Sequence, residues 1–197
     1  MPVLPVPDPP LTDDIVALRL WQNNDLDQRL AGYADPEFQR FTLSTDEPVT
    51  EARIREHIEQ EERARARGEK LSLAIVDAAA LDQVWGGCSV YDINLDQRRA
   101  GVGYWLTPQA RGRGAATRTV RLLAQWAFDV LDLARLELAC APDNIASQRV
   151  AVRSGFFLEG IMRSYMRFQG GRRDTMLFSL LPGDLRDADR PDRQPTE

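Results

Sequence analysis

The chain has 197 residues, a formal net charge of −5 and a pI near 5.1, with 43% hydrophobic and 28% charged residues. That acidic balance argues against nucleic acid as a partner, because binding a phosphate backbone needs a broad basic face. No run approaches the ~18 apolar residues of a membrane-spanning helix. Two cysteines, Cys88 and Cys140, and one histidine, His57, offer no metal-ligand spacing and suit a reducing cytoplasm better than a disulfide framework.

In chain order, the first ten residues hold five prolines and lack the basic-then-apolar order of a secretion signal. Residues 1–11 read as an extended arm, and residues 12–182 as a single domain of ordinary core size. "IVALRLW" (15–21) has the composition of a strand, and "DLDQRLAGYADPEFQRF" reads as short helical pieces broken at Gly32 and Pro36. A longer helix is predicted over 51–67, with Thr50 as N-cap and Gly68 as stop. Its few apolar anchors, Ile54 and Ile58, make it a covering helix on which His57 reads as a solvated residue.

Three consecutive strands follow at 71–77, 84–94 and 100–107, joined by short polar connections that favour antiparallel neighbours. A helix is predicted over 114–131, its buried stripe marked by Val120, Leu123, Ala124, Ala127, Phe128 and Leu131. A strand at 134–140, a short helix closing at Gly155 and two strands turning at Gly170-Gly171 complete the pattern. Residues 183–197 are polar and read as a disordered tail. The element order predicts an α/β (α+β) fold, a mixed sheet with helices on both faces.

The charge is unevenly placed. Between Asp96 and Asp129 there is no acid, yet Arg98, Arg99, Arg111, Arg113, Arg118 and Arg121 fall there, +6 against −11 for the rest of the chain. Such a local cluster suits one small polyphosphate. In "YWLTPQARGRGAAT" (104–117) a strand feeds through a short loop into a helix, whose first N–H groups and positive dipole end make an anion site. Gly112 and Gly114 let a phosphate approach the backbone, Ala115 and Ala116 keep the first turn low, and Arg111 and Arg113 could donate charge-assisted bonds. Neither a P-loop nor a dinucleotide fingerprint fits, since Ala115 and Ala116 follow Gly114 and Thr117 stands where a third glycine would be needed. A surface loop whose glycines only cap the helix is the alternative.

"GYWLTPQARGRGAAT" resembles the acetyl-CoA-binding signature of the GNAT superfamily, Q/R-x-x-G-x-G/A, with Gln109, Gly112 and Gly114 in register. "APDNIASQRVAVRSGFFLEG" and the closing "GGRRDTMLFSLL" are similar to the branch related to ribosomal-protein N-terminal acetyltransferases, the RimJ/RimL-like group. The resemblance spans roughly residues 12 to 182 and implies a mostly antiparallel, splayed sheet of about seven strands. It implies that the pantetheine arm of acetyl-CoA pairs with the strand at Tyr104, Trp105 and Leu106, that the diphosphate sits on the amides of Arg111 to Ala116, and that Asn144 holds the pantetheine. Ser147 is then the family-like donor to the leaving thiol and Tyr165 a second candidate. Hydrogen bonding at a helix N-terminus is the alternative for Ser147, and core packing the alternative for Tyr165.

The chain departs from the family pattern at Gly101 and near Met166, where relatives carry acids, so the general base is left between Asp92, Glu137 and water alone. The implied reaction is transfer of an acetyl group to a primary amine, with a protein N-terminus the family-like acceptor selected by the loop around 24–50. A small amine (antibiotic, polyamine or amino-acid derivative) and a non-catalytic CoA-binding sensor are the alternatives. No metal and no membrane are expected, and a homodimer is compatible with the family.

Overall fold

The structure, a computed structural model, describes residues 3–42, 48–168 and 171–188. Residues 43–47 of the predicted selection loop, Gly170 of the last turn and the tail beyond 188 lie outside them. The elements run β1 (Leu11–Thr12), β2 (Val16–Arg19), α1 (Leu26–Tyr33), α2 (Pro36–Phe41), α3 (Glu51–Ala66), β3 (Leu71–Asp77), β4 (Ala80–Asn94) and β5 (Arg99–Leu106). They continue α4 (Ala115–Val130), β6 (Arg135–Cys140), α5 (Ile145–Arg153), β7 (Phe157–Phe168), β8 (Gly171–Leu180) and α6 (Pro182–Ala188).

The strands form one sheet in the order β1-β2-β3-β4-β5-β6-β8-β7, eight among the described residues where about seven were expected. The added member is the two-residue β1, which pairs Leu11 with Leu18 and Thr12 with Ala17. All neighbours are antiparallel except β5 and β6.

Side-chain alternation divides the sheet into two faces. Val16, Leu18, Leu71, Leu73, Ile75, Val90, Ala100, Val102, Leu136 and Leu138 belong to the main core, together with the α4 stripe of Val120, Leu123, Ala124, Ala127 and Phe128. The opposite face is built from smaller residues, Ala17, Ala74, Val76 and Val84, with Trp21 against them. On that side α1 packs on β4 and α3 on β3. The predicted N-cap of α3 is formed, the Thr50 hydroxyl accepting from Arg53 N at 3.3 Å, and the structure adds a second at the start of α2, where Asp35 accepts from Phe38 N at 3.0 Å.

His57 is not simply solvated. It stands half-buried on α3, its Nδ1 3.4 Å from the Tyr33 hydroxyl and its Nε2 3.6 Å from Glu61, and burial pushes its pKa down against the pull of Glu61. The chain ends are also seated: the extended arm packs, and the expected tail is in part helical. Leu4 is buried, and its N–H donates to Arg65 O at 3.2 Å. Residues 183–188 of the expected tail belong to α6, because Leu185 finds a buried seat against α4. Leu185→Ala should therefore lower stability by about 2 kcal/mol or more, as for other buried leucines. Urea unfolding would show this as a reduced midpoint, and an unchanged midpoint would place α6 outside the cooperative unit.

Candidate active site

The parallel pair β5–β6 is in register only over Arg99–Gly101 and Arg135–Glu137. Beyond Gly101 the two strands part. Thr107 N donates to Trp85 O at 2.8 Å, and Gly87 lies opposite Trp105, so every second residue of β5 bonds to β4. Antiparallel alternation then turns the backbone groups of Val102, Tyr104 and Leu106 toward the gap. A strand edge there offers N–H and C=O groups to an extended ligand.

The loop after β5 reaches α4 through Gly112 (φ 75°) and Gly114 (φ 79°), the latter as N-cap. A Cβ on either glycine would meet nothing within 4 Å. The left-handed backbone requires glycine, and the space above it is open. The first helical bond is Arg118 N to Gly114 O at 3.1 Å, so the N–H groups of Ala115 to Thr117 lack a helical acceptor. Gln109, Arg113 and the two glycines are exposed around this opening.

The arginines are another matter. Arg111, expected on a phosphate, turns away: it bonds Asp35, reaches Glu37 at 3.0 Å and donates to Leu106 O at 3.0 Å. That hydrogen bond holds the Asp35 carboxyl below its usual range. Arg118 pairs with Asp13 at 2.9 Å and with Asp14, Arg98 with Asp132 at 2.6 Å, and Arg99 lies 3.9 Å from Glu137. Most of the expected polyphosphate charge is thus answered by the chain's own acids. Arg113 lies with its guanidinium 5.6 Å from the Trp85 ring centroid. Along α4, Gly114, Thr117, Arg121 and Arg153 line a cavity of about 560 Å³ that continues from the loop.

On the α4 side of the gap three groups converge. Tyr104 OH donates to Ser147 Oγ at 3.4 Å, and Cys140 lies within hydrogen-bonding reach of the same Ser147. Burial pushes the Tyr104 phenol up to about 12 and raises the Cys140 thiol, so both keep their protons at neutral pH. With its oxygen accepting from Tyr104, the Ser147 hydroxyl keeps one proton to donate, with the Cys140 sulfur as one acceptor in reach. Asn144 is the N-cap of α5, and its Oδ1 accepts from Ser147 N at 3.0 Å. That fixes the turn presenting Ser147 and leaves the Asn144 amide protons for another partner.

The opposite face of β5 holds different chemistry. The Trp105 side chain points away from Tyr104 into an aromatic wall, leaving only its backbone for the expected strand pairing. Its ring centroid lies 6.2 Å from Trp21, 5.3 Å from Tyr33 and 5.6 Å from Phe38. Arg29 is buried behind it, 4.4 Å from the Trp21 centroid and 2.7 Å from Glu61. Nearer the fork, Tyr91 lies flat across β5: a Cβ on Gly101 would fall 2.6 Å from the Tyr91 ring, and one on Gly103 3.4 Å from it. Tyr165 is exposed on β7 at 52%, which sets aside core packing for it. Of the proposed bases, Glu137 is held by Arg135 at 2.8 Å as well as by Arg99, and Asp92 is exposed at an irregularity of β4.

The sequence profile of the family described as an acetyltransferase (GNAT) domain matches residues 16–157. The chain belongs to the GNAT family. The acetyltransferase is 30% identical over 149 residues to the probable N-acetyltransferase YjcK of Bacillus subtilis, covering 75% of this chain and 82% of that one. It is 32% identical over 100 residues to the ribosomal-protein-serine acetyltransferase of Escherichia coli, covering 51% and 56%. Mycobacterium smegmatis RimJ, solved in complex with CoA-disulfide, shares its fold at a TM-score of 0.79 and 22% identity, over 86% of this chain and 83% of that one. The open glycine loop, the unpartnered amides and the strand edge of the gap fit coenzyme A as co-substrate.

Sequence reasoning missed Tyr91, the aromatic wall and the Arg111 clasp. The one local hint was the alternation of glycines 101 and 103 on a single face of β5. Two outcomes test the site. Gly112→Val should raise the CoA dissociation constant by at least about 10-fold in calorimetry, with αL strain of about 1–2 kcal/mol as its only cost to the fold. Unchanged affinity would mean that the glycine serves the turn alone. Ser147→Ala should cut kcat by roughly 10²-fold with CoA affinity preserved, as for loss of a general acid. Equal losses in both would leave Ser147 as a positioning group.

Proposed function

We propose that this acetyltransferase modifies the α-amino group of a protein N-terminus, with Ser147 as proton donor to the leaving thiol. The observation that carries the reading is the state of the carboxylates at the fork. Glu137 is engaged by two arginines, and Asp92 faces solvent. Such a site has little with which to strip a lysine ammonium of pKa ~10.4, whereas an α-amine of pKa ~7.7–8.0 is partly neutral at physiological pH. The name of the Escherichia coli relative, a ribosomal-protein-serine acetyltransferase, supports the same acceptor class.

Coenzyme A, when bound, supplies an acyl thioester. The chain's own groups then divide the work. Gly112 to Ala116 hold the diphosphate on backbone amides. The edge of Tyr104 to Leu106 aligns the pantetheine, and a strand N–H there polarises the carbonyl that the amine attacks. Ser147 gives a proton to the sulfur. A second cavity, of about 440 Å³, lies between α2 and the start of α5, lined by Pro36, Glu37, Phe41, Asn144 and Ile145. Its position at the mouth of the gap suits an extended peptide.

Thiol release from acetyl-CoA should be seen with peptides bearing a free N-terminus. It should vanish when the same peptides are N-terminally blocked, even with an internal lysine present. Turnover on small amines alone would move the enzyme to metabolite or drug modification.

A further inference from the structure

Tyr91 has a placement that the reaction scheme above does not use. It stands on β4 directly across from Gly101, the last residue of β5 still paired with β6. Two glycines on the same face of β5 allow its ring to cross the strand. A Cβ at 101 would fall 2.6 Å from the ring and 3.0 Å from the hydroxyl, and one at 103 would touch the ring's other edge at 3.4 Å. The phenol therefore occupies the spot that any side chain at 101 would need, where the strands begin to part.

The neighbourhood can be named element by element. Asp92 adjoins Tyr91 on β4, Arg99 lies on β5, Arg135 and Glu137 on β6, and Tyr165 and Glu159 on β7. Arg135 bonds Glu137 at 2.8 Å and Glu159 at 2.9 Å, so these carboxylates are committed. Burial first, then Asp92, Glu137 and Tyr165, push the Tyr91 phenol up to about 12. It remains a neutral hydroxyl, able to accept from an N–H and unable to remove a proton at neutral pH. The diphosphate loop, Tyr104 and Ser147 sit on the α4 side of the gap, so an acceptor amine arrives from the face that Tyr91 covers.

We propose that the Tyr91 hydroxyl is the group that meets the acceptor amine at the fork of β5 and β6, and that it selects amines arriving already uncharged. This inference rests on the acetyltransferase reading with an α-amine acceptor. The amine's N–H donates to the phenol oxygen, which aims its lone pair into the gap. The proton of the ammonium form is lost to water before binding; the second proton, shed by the nitrogen as the amide forms and the C–S bond breaks, passes through water and restores the Ser147 hydroxyl that protonates the thiolate.

The test is the acidic limb of kcat/KM against pH, measured with peptides whose N-terminal amines differ in basicity. The limb should follow the pKa of each acceptor. Tyr91→Phe should lower kcat/KM by about 10-fold or more without moving that limb, and CoA affinity should stay unchanged. The pair Tyr91→Ala with Gly101→Glu places a carboxylate where the phenol lay. It should bring the limb down to a carboxylate-like range of about 4–6 and make it independent of the acceptor. Gly101→Glu alone collides with the ring and should lower the melting temperature, a loss relieved in the pair. A limb fixed across acceptors in the unaltered enzyme, or Tyr91→Phe with full kcat/KM, overturns the inference alone. Absence of turnover on every peptide, with CoA bound, overturns the acceptor reading with it.

Discussion

Three registered residue pairs decide how this molecule is organised. β5 and β6 run parallel and bond only over Arg99–Gly101 and Arg135–Glu137, and every functional feature lies at or beyond the end of that contact. A parallel pair needs a crossover connection, and here the crossover is α4, whose N-terminus follows directly from the free end of β5. One constraint thus creates both the gap and the anion site at its mouth. Unpaired strand backbone would be costly if buried, and a ligand that pairs with it supplies the missing bonds.

Charge follows the same economy of position. The run of arginines from Arg98 to Arg121 suggests a polyphosphate surface, but among the described residues at least four of the six are matched by carboxylates of the chain itself. On the proposed reading, anion binding falls mainly to backbone amides and the helix terminus, which are fixed in place by the fold and need no flexible side chain to be ordered. The arginines act as struts. Arg118 ties α4 to the β1–β2 turn through Asp13 and Asp14. Arg29, stacked on Trp21 and bonded to Glu61, ties α1 to α3.

The elements that were legible in the sequence are those whose signal is local. The α4 stripe, the three central strands and the two αL glycines each announce themselves within a few residues. Two features were hidden by composition: β1 lies beside a proline-rich arm, and a polar stretch masks the single buried Leu185 of α6. The site was half legible for the same reason. Gly112, Gly114 and Ser147 lie in short motifs, whereas the Arg111–Asp35 contact joins residues 76 positions apart. Tyr91 was invisible because its meaning depends on the β4–β5 register: a shift of one residue would turn the ring to the other face. The aromatic wall was equally hidden: the Trp105 side chain, one place along the strand from that of Tyr104, lies on the other face among rings from distant elements.

That alternation is what lets one strand serve two substrates. Tyr104 faces Ser147 and Cys140 under α4 and α5, while on the other face Gly101 and Gly103 lie under Tyr91 and Trp105 joins the aromatic wall with residues of α1 and α2. The two sides are joined at the strand's end by Arg111, which grips the Leu106 carbonyl together with Asp35 and Glu37 of the α2 start. Asp35 is also the N-cap of α2, so moving Arg111 would loosen that helix at its first turn. The amides of the glycine loop therefore follow directly on the one side chain that ties β5 to the start of α2. A single guanidinium joins the two halves, because the fork has already brought both to one stretch of β5 and its loop.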